Sequence, residues 1–365
     1  MAGLYIHIPY CRSKCAYCDF YSTPRTESAK RYVEALAKEY ISRRDEITDT
    51  ITTKYIGGGT PSSLPEPLLR KVMTIGSEEP IEEFTIEVNP EDVTDELLML
   101  LKQYGVNRIS MGVQTLNDDE LHAVGRRHNA RKAIESMHML RNAGFSNISL
   151  DLIYGLPIQT VKSWETTLKQ IIQFRPQHIS AYSLMYEPGT KLTAMLQSGK
   201  LQPINEDDSA LMYDILCDML ATEGYEQYEI SNFCLPNYHS RHNSAYWNFT
   251  PYLGIGAAAH SYDGIIRRAN PTSVKKYLEL PEHSFTEEFL STSERIEEYI
   301  MLRLRTTTGL SIDEFTQLFN DSACTELLNK ATGFIKSGSL ILNNNRLYIP
   351  QSHFLTADAI IIGLF

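Results

Sequence analysis

Over roughly the first 220 residues, short apolar runs rich in β-formers alternate with stretches whose apolar positions recur at helical spacing. LYIHIP reads as a strand and SAKRYVEALAKEYISRRDE as an amphipathic helix. TKYIGGG is a strand ending in glycines, and the helix after it begins near PEPLLRKVMTI. EFTIEVNP is a strand stopped by Asn-Pro, followed by the helix TDELLMLLKQYG, with Thr94 as N-cap and Gly105 as its stop. NRISMGVQT, NISLDLIYGLP and HISAYSLMYEP supply three further strands, with helices in NARKAIESMHMLRNAGF and VKSWETTLKQIIQF between them. This order predicts an α/β fold, a parallel sheet joined by right-handed crossovers. The strands look apolar almost throughout, which predicts burial on both faces. No GxGxxG follows the first strand, so a partial, TIM-like (β/α)6 barrel is expected rather than a doubly wound sheet.

Barrels of this kind place functional groups where strands end and loops begin. A cysteine-rich loop follows strand one, and Gly57, Gly58 and Gly59 follow strand two. Glu87 ends strand three and Gln114 ends strand four, while Asp151 lies within strand five and Tyr182 within strand six. Any one of these has a plain structural explanation as a turn or cap residue. Together they aim polar or backbone groups at one rim.

From about Ser291 the pattern changes. SERIEEYIMLRLRTTTG, SIDEFTQLF and CTELLNKATGFIKSG read as helices, LILNNNRLYIP as a hairpin turning at Asn343–Asn345, and the last apolar run as a helix ending at Phe365. Helices plus one hairpin resemble a small winged-helix-like unit, although no basic recognition helix is present. The expected division is a core over 1–270, a linker over 271–290 and a C-terminal domain over 291–365.

Charge and composition narrow the partners. The 365 residues carry a formal net charge of −11, which disfavours nucleic acid. No apolar run reaches the ~18 residues of a membrane span, and MAGLYIHIPYC lacks the regions of a signal peptide. A cytoplasmic protein without stable membrane insertion is expected, with its thiols reduced. Of the six cysteines, Cys217 and Cys324 fall in helix-like stretches and read as core thiols, and Cys234 sits in a loop-like stretch.

Cys11, Cys15 and Cys18 stand apart, because IHIPYCRSKCAYCDFYS packs three thiols into one loop. A disulfide framework does not suit a reduced compartment, and an odd count leaves one thiol over. Structural zinc wants four ligands; His7 is a candidate fourth, but it alternates with Ile6 and Ile8 on a strand. A redox CxxC pair has no use for the third thiol. Thiolates also hold iron–sulfur clusters, and three ligands on a cubane leave one iron open to a small ligand.

The spacing CxxxCxxC followed by an aromatic resembles the radical S-adenosylmethionine (SAM) superfamily, and GGGTPS at 57–62 resembles that family's glycine strip. The resemblance implies a 4Fe-4S cluster on Cys11, Cys15 and Cys18, with SAM on the open iron. Order and spacing over nearly the whole chain are similar to oxygen-independent coproporphyrinogen III oxidases and HemW-type heme chaperones. Carried over position by position, the resemblance implies SAM contacts from Tyr5, Tyr17, Gly58, Gly59, Thr60, Glu87, Gln114, Arg126 and Asp151. Carboxylates suit ribose hydroxyls, while Arg126 and Gln114 suit the methionine carboxylate.

Two departures from the oxidase pattern favour the chaperone branch. Phe20 stands where the oxidases have a further cysteine, and the chain begins almost at its first strand. HNSAYW, residues 242–247, resembles the chaperones' heme motif, which makes His242 an iron ligand and sets Tyr246 and Trp247 against a flat porphyrin. Tyr238, His239, His260 and Cys234 are nearby alternatives as ligands. The small-residue run YLGIGAAAHSY, 252–262, is expected near the SAM end of the barrel. The implied function is binding heme and passing it to an acceptor hemoprotein, with an electron donor as a further partner. The enzyme alternative is oxidative decarboxylation in porphyrin biosynthesis.

Overall fold

The computed structural model describes residues 1–280 and 285–365. Six strands lie side by side in sequence order, all parallel: β1 (Ala2–Ile8), β2 (Ile51–Gly58), β3 (Glu83–Val88), β4 (Arg108–Gln114), β5 (Ile148–Tyr154) and β6 (His178–Ser183). Their crossovers carry α1 (Ala29–Arg43), α2 (Glu66–Thr74), α3 (Asp95–Gln103), the short α4 (Asp118–Ala123) with α5 (Ala130–Asn142), and α6 (Val161–Phe174). The start and stop signals of α3 operate as read. Thr94 Oγ1 accepts the Leu97 N–H at 3.2 Å, and Gly105 takes a φ of +77°.

The sheet runs further than the sequence pattern suggested. After β6 come α7 (Lys191–Gln197), α8 (Glu206–Thr222) and two short strands, β7 (Glu226–Gln227) and β8 (Asn232–Cys234), with β8 antiparallel to β6. The chain then passes through α9 (Arg241–Trp247) to the opposite edge, where β9 (Tyr252–Ile255) pairs parallel to β1. β10 (His260–Tyr262) and β11 (Ile266–Ala269) continue that edge as antiparallel strands. The segment 271–290 is more than a connector: it contains α10 (Val274–Tyr277) and β12 (Thr286–Phe289), which pairs with β11. Residues 281–284 of that segment lie outside the described residues.

The C-terminal unit comprises α11 (Thr292–Leu304), β13 (Leu310–Ser311), α12 (Ile312–Phe319), α13 (Asp321–Ser337), β14 (Ile341–Asn343), β15 (Arg346–Tyr348) and α14 (Ala357–Ile362). Its three strands form a separate antiparallel sheet in the order β13-β15-β14, which with the helices gives the winged-helix-like shape expected. Asn344 and Asn345 take φ of +48° and +61°, the left-handed pair that a two-residue hairpin turn requires and that asparagine tolerates.

The expectation of strands apolar on both faces needs correction. Leu4, Ile6 and Ile8 alternate with Tyr5 and His7, and the same period of two sets Glu83, Thr85 and Glu87 against Phe84, Ile86 and Val88. The apolar set packs under the helices in one continuous core. The polar set faces the barrel axis and bonds from strand to strand: Tyr55 to Glu87, Ser110 to Asp151, Ser149 to His178. Both sets are largely buried, so the strands resemble apolar runs unless their alternation is counted.

α1 is tied to the late strands by a buried carboxylate. Glu39 accepts from Arg43 Nη1 (2.6 Å), Tyr277 Oη (2.6 Å), Asn270 Nδ2 (2.7 Å) and Gly256 N (2.8 Å). Desolvation raises its pKa, and the Arg43 charge opposes that shift. Breaking a buried pair from one side leaves the other charge uncompensated. Arg43→Met should therefore cost about 3–5 kcal/mol of stability, measured by urea denaturation. A loss below about 1 kcal/mol would show that the three neutral donors suffice for Glu39.

Candidate functional site

One pocket opens at the C-terminal ends of the parallel strands, and all six strands or the loops after them reach it. The cysteine loop is closed at its base by Thr23, whose N–H donates to Pro9 O (2.7 Å) and whose carbonyl accepts from Cys11 N (3.1 Å). It is pinned at its middle, where the Ala16 N–H donates to Val124 O (2.9 Å) and the Ala16 carbonyl accepts from Leu192 N (2.8 Å). Between these anchors Cys11, Cys15 and Cys18 all line the pocket.

The glycine strip forms the next wall. A Cβ on Gly57 would lie 2.7 Å from Glu87 Oε1, and one on Gly58 would lie 2.5 Å from the His7 ring, so only bare backbone fits beside these side chains. Gly59 N donates to Ile8 O and Thr60 N to Tyr10 O, both at 2.8 Å, which ties the strip to the start of the cysteine loop. Gln114 ends β4 at a φ of +68°, a conformation that non-glycine residues keep only where surroundings impose it, and it lines the pocket.

Electrostatics divide the site. On one side Arg126 Nη2 donates to Asn89 Oδ1 (2.8 Å) and Gly112 O (2.5 Å), while its Nη1 lies 3.6 Å from Cys15 Sγ. Asn89 Nδ2 in turn donates to Thr60 Oγ1 at 3.1 Å. On the other side Glu87 accepts from Tyr55 Oη (2.9 Å) and Gly58 N (3.0 Å). Burial, with the nearby Asp151 charge, pushes the Glu87 carboxyl up to about 7. Asp151 is also raised by burial; Arg108 opposes that shift, as does the Ser110 hydroxyl that donates to it. Arg108 is fully buried below the pocket, and its Nε and Nη1 have no hydrogen-bond partner.

Of the residues expected to contact SAM, all but Tyr5 line this pocket. Tyr5 lies a layer lower, where its hydroxyl is 3.0 Å from His7 Nδ1. His7 Nε2 donates to Tyr21 O at 3.0 Å, so His7 clamps the end of the cysteine loop and is not a partner of the thiols. None of 252–262 lines the pocket; β9 flanks β1 instead. His242 is set apart at the other end of the barrel, only 2% exposed, with Nδ1 2.9 Å from Thr53 Oγ1 and Nε2 3.0 Å from Tyr246 Oη. In this conformation it is not presented to a planar ligand, and ligating iron would require α9 to leave the barrel. Of the alternatives, Cys234 is buried in β8, and His239 stacks edge-on against Tyr228. Asn89, Tyr55 and Arg108 escaped the sequence reading as site residues, and His7 was weighed there only as a fourth zinc ligand. Asn89 and His7 carried a signal, since one follows a strand end and the other alternates with apolar neighbours.

The donor set suits a polynuclear iron–sulfur cluster. Among the described residues no three His, Cys, Asp or Glu side chains are close enough to hold one metal ion, yet three thiols converge on one pocket. A cubane puts each thiolate on a different iron and needs that wider spread. Burial lifts the Cys18 thiol to about 11, so iron must displace its proton on binding. Arg126 beside Cys15 offsets thiolate charge.

Fold and site together define a radical SAM scaffold. The model of the radical SAM superfamily matches residues 5–171, and that of the HemN C-terminal domain matches 290–352. The solved structure of coproporphyrinogen III oxidase (HemN) from Escherichia coli shares the fold at a TM-score of 0.85 and 23% identity, over 100% of this chain and 89% of that one. The heme chaperone HemW of Lactococcus lactis is 39% identical over 96% of this chain and 93% of its own length. HemW of Bacillus subtilis is 39% identical over 88% of each. The chain belongs to the HemW family of radical SAM proteins, a family that implies a 4Fe-4S cluster and SAM.

Glu87 gives a pH signature in the cluster-free protein. Its folded pKa of about 7 lies above the ordinary 4.5, so the folded state holds a proton that the unfolded chain releases. Its contribution to stability is therefore lost as pH rises from about 4.5 through 7. Glu87→Gln removes this penalty and should gain on wild type by about 3 kcal/mol between pH 5 and pH 8.5, at about 1.4 kcal/mol per pKa unit. Urea midpoints at the two pH values check it; a difference independent of pH would mean an ordinary carboxyl.

Proposed function

We propose that this chain is a heme chaperone: it carries a 4Fe-4S cluster on Cys11, Cys15 and Cys18, binds SAM beside it, and binds heme for transfer to an acceptor hemoprotein. The observation that carries the reading is a pocket lined by three thiols and a polar rim, with Phe20, 70% exposed, two residues after the third cysteine. Cys11, Cys15 and Cys18 would hold the cluster, which when bound would offer an iron to the amino and carboxylate groups of SAM. Gly58, Gly59 and Thr60 leave backbone room beside it, with Tyr17 on the cysteine loop as a further contact. Arg126 and Gln114 receive the carboxylate, and Glu87 and Asp151 take hydroxyl protons as hydrogen-bond acceptors. Burial raises the Tyr17 pKa; the Arg126 charge opposes that shift and Cys15 adds to it. For heme the proposed element is α9, with His242 as ligand and Tyr246 and Trp247 as flat partners, reached when the helix withdraws from the barrel. Relatives at 39% identity named heme chaperones support this reading. Among the described residues no helix is long and apolar enough to cross a membrane.

Anaerobic reconstitution should give about four irons per chain. Replacing any of Cys11, Cys15 or Cys18 by Ala should abolish the cluster's absorption. Heme titration of the loaded protein should saturate at one equivalent, and His242→Ala should weaken it about tenfold or more, as expected when an axial ligand is lost. Turnover of coproporphyrinogen III under reducing conditions, without stoichiometric heme binding, would replace the chaperone reading with the oxidase.

A further inference from the structure

We infer that His242 is a positioning residue of the SAM pocket, acting through Tyr55 on Glu87. The inference rests on the reading of that pocket as the SAM site. His242 enters the barrel from α9, and its ring stacks on Tyr55 at a centroid distance of 5.2 Å and an interplanar angle of 29°. The Tyr55 hydroxyl donates to Glu87 Oε1 (2.9 Å), and Glu87 Oε2 accepts the Gly58 N–H (3.0 Å). One continuous column thus runs from the HNSAYW helix to the glycine strip, and Gly57 is bare where any Cβ would strike both Tyr55 and Glu87.

The foot of the column is built to stay in place. Glu83 accepts the N–H groups of both Arg241 (3.0 Å) and His242 (2.9 Å), so one buried carboxylate fixes the first turn of α9. Thr53 and Tyr246 occupy the two nitrogens of His242. The ring is 2% exposed and its two nitrogens meet only hydroxyls, so it sits neutral with no counter-ion inside the barrel. A neutral ring donating at one nitrogen and accepting at the other is held at a fixed angle, as support for a stacked tyrosine requires. Without it, Tyr55 gains freedom to tilt, and the Glu87 carboxylate loses the donor that sets its angle to the pocket.

The test is equilibrium binding of SAM to the anaerobically reconstituted full chain. Tyr55→Phe, which removes one hydroxyl, and His242→Ala should each weaken SAM about five- to tenfold, while Glu87→Ala weakens it further. The double variant His242→Ala/Tyr55→Phe should bind SAM no worse than the weaker single variant, because the two residues act in series. A merely structural histidine would instead leave the SAM dissociation constant unchanged, or give losses that multiply in the double variant; either result overturns the inference. If His242→Ala does not fold, SAM affinity unchanged in Tyr55→Phe overturns it equally. Insensitivity of SAM binding to Glu87→Ala would overturn the pocket reading and this inference with it. A large effect of Glu87→Ala alone would leave the pocket standing and remove only the role of His242.

Discussion

A barrel whose inner face is polar holds together only if each inward side chain finds a partner across the axis. Burying an unpaired polar group costs about 1–3 kcal/mol, and a parallel sheet offers many such positions. The chain meets the demand with short side chains bonding between neighbouring strands, as in Ser149 to His178 and Ser110 to Asp151, and with aromatic hydroxyls spanning wider gaps, as in Tyr55 to Glu87 and Tyr228 to His178. The helices outside then need only a uniform apolar face, which Leu4, Ile6, Ile56, Ile86 and Ile109 supply. Arg108 and the Thr85 hydroxyl are exceptions, and Arg108 is the charged one. Its Nε and Nη1 lack partners in the interior, and its charge favours the ionised form of Asp151 above it. Two charges held apart in a low-dielectric interior keep the pocket floor polarised without closing it by a direct ion pair.

That interior network also explains the geometry of the rim. Glu87 and Asp151 stand at the top of columns whose lower members are fixed, so their carboxylates are aimed before any ligand arrives. The cysteine loop is anchored by backbone bonds to Pro9, Val124 and Leu192, which come from three separate parts of the chain. The thiols can therefore converge on one pocket without making contact with one another at the distance of a single ion.

How much of this was legible in the sequence depends on the range of the interaction. The six parallel strands, the cap at Thr94 and the asparagine turn at 344–345 follow from local patterns, and all three appear. Rim residues were legible too, because topology alone decides which end of a parallel strand faces the pocket. Strands β7 to β12 were not, since they are two to four residues long and are stabilised by edges that the earlier strands provide. Tyr55 and Arg108 look like ordinary strand residues; their roles depend on neighbours across the barrel that no local window contains. HNSAYW named His242 as an iron ligand but gave no sign that its ring packs inside the barrel, because a motif reports residue types and not the side from which they are packed.

The position of α9 sets a thermodynamic condition on any role for its histidine as an iron ligand. Docked, the helix satisfies both oxygens of Glu83 and the Thr53 hydroxyl, and it covers Tyr55. Withdrawing it breaks two hydrogen bonds to a buried carboxylate and the Thr53 bond at the ring, a cost on the order of 5 kcal/mol, since bonds to a charged group count for more than neutral ones. A competent state of that energy is populated at roughly one part in several thousand, and the apparent affinity of a ligand that requires it falls by the same factor. Heme seated on His242 must supply that difference from iron ligation and from the porphyrin face against Tyr246 and Trp247. On the proposed column the same withdrawal would also remove the support beneath Tyr55, so that opening the lower end would be felt at Glu87.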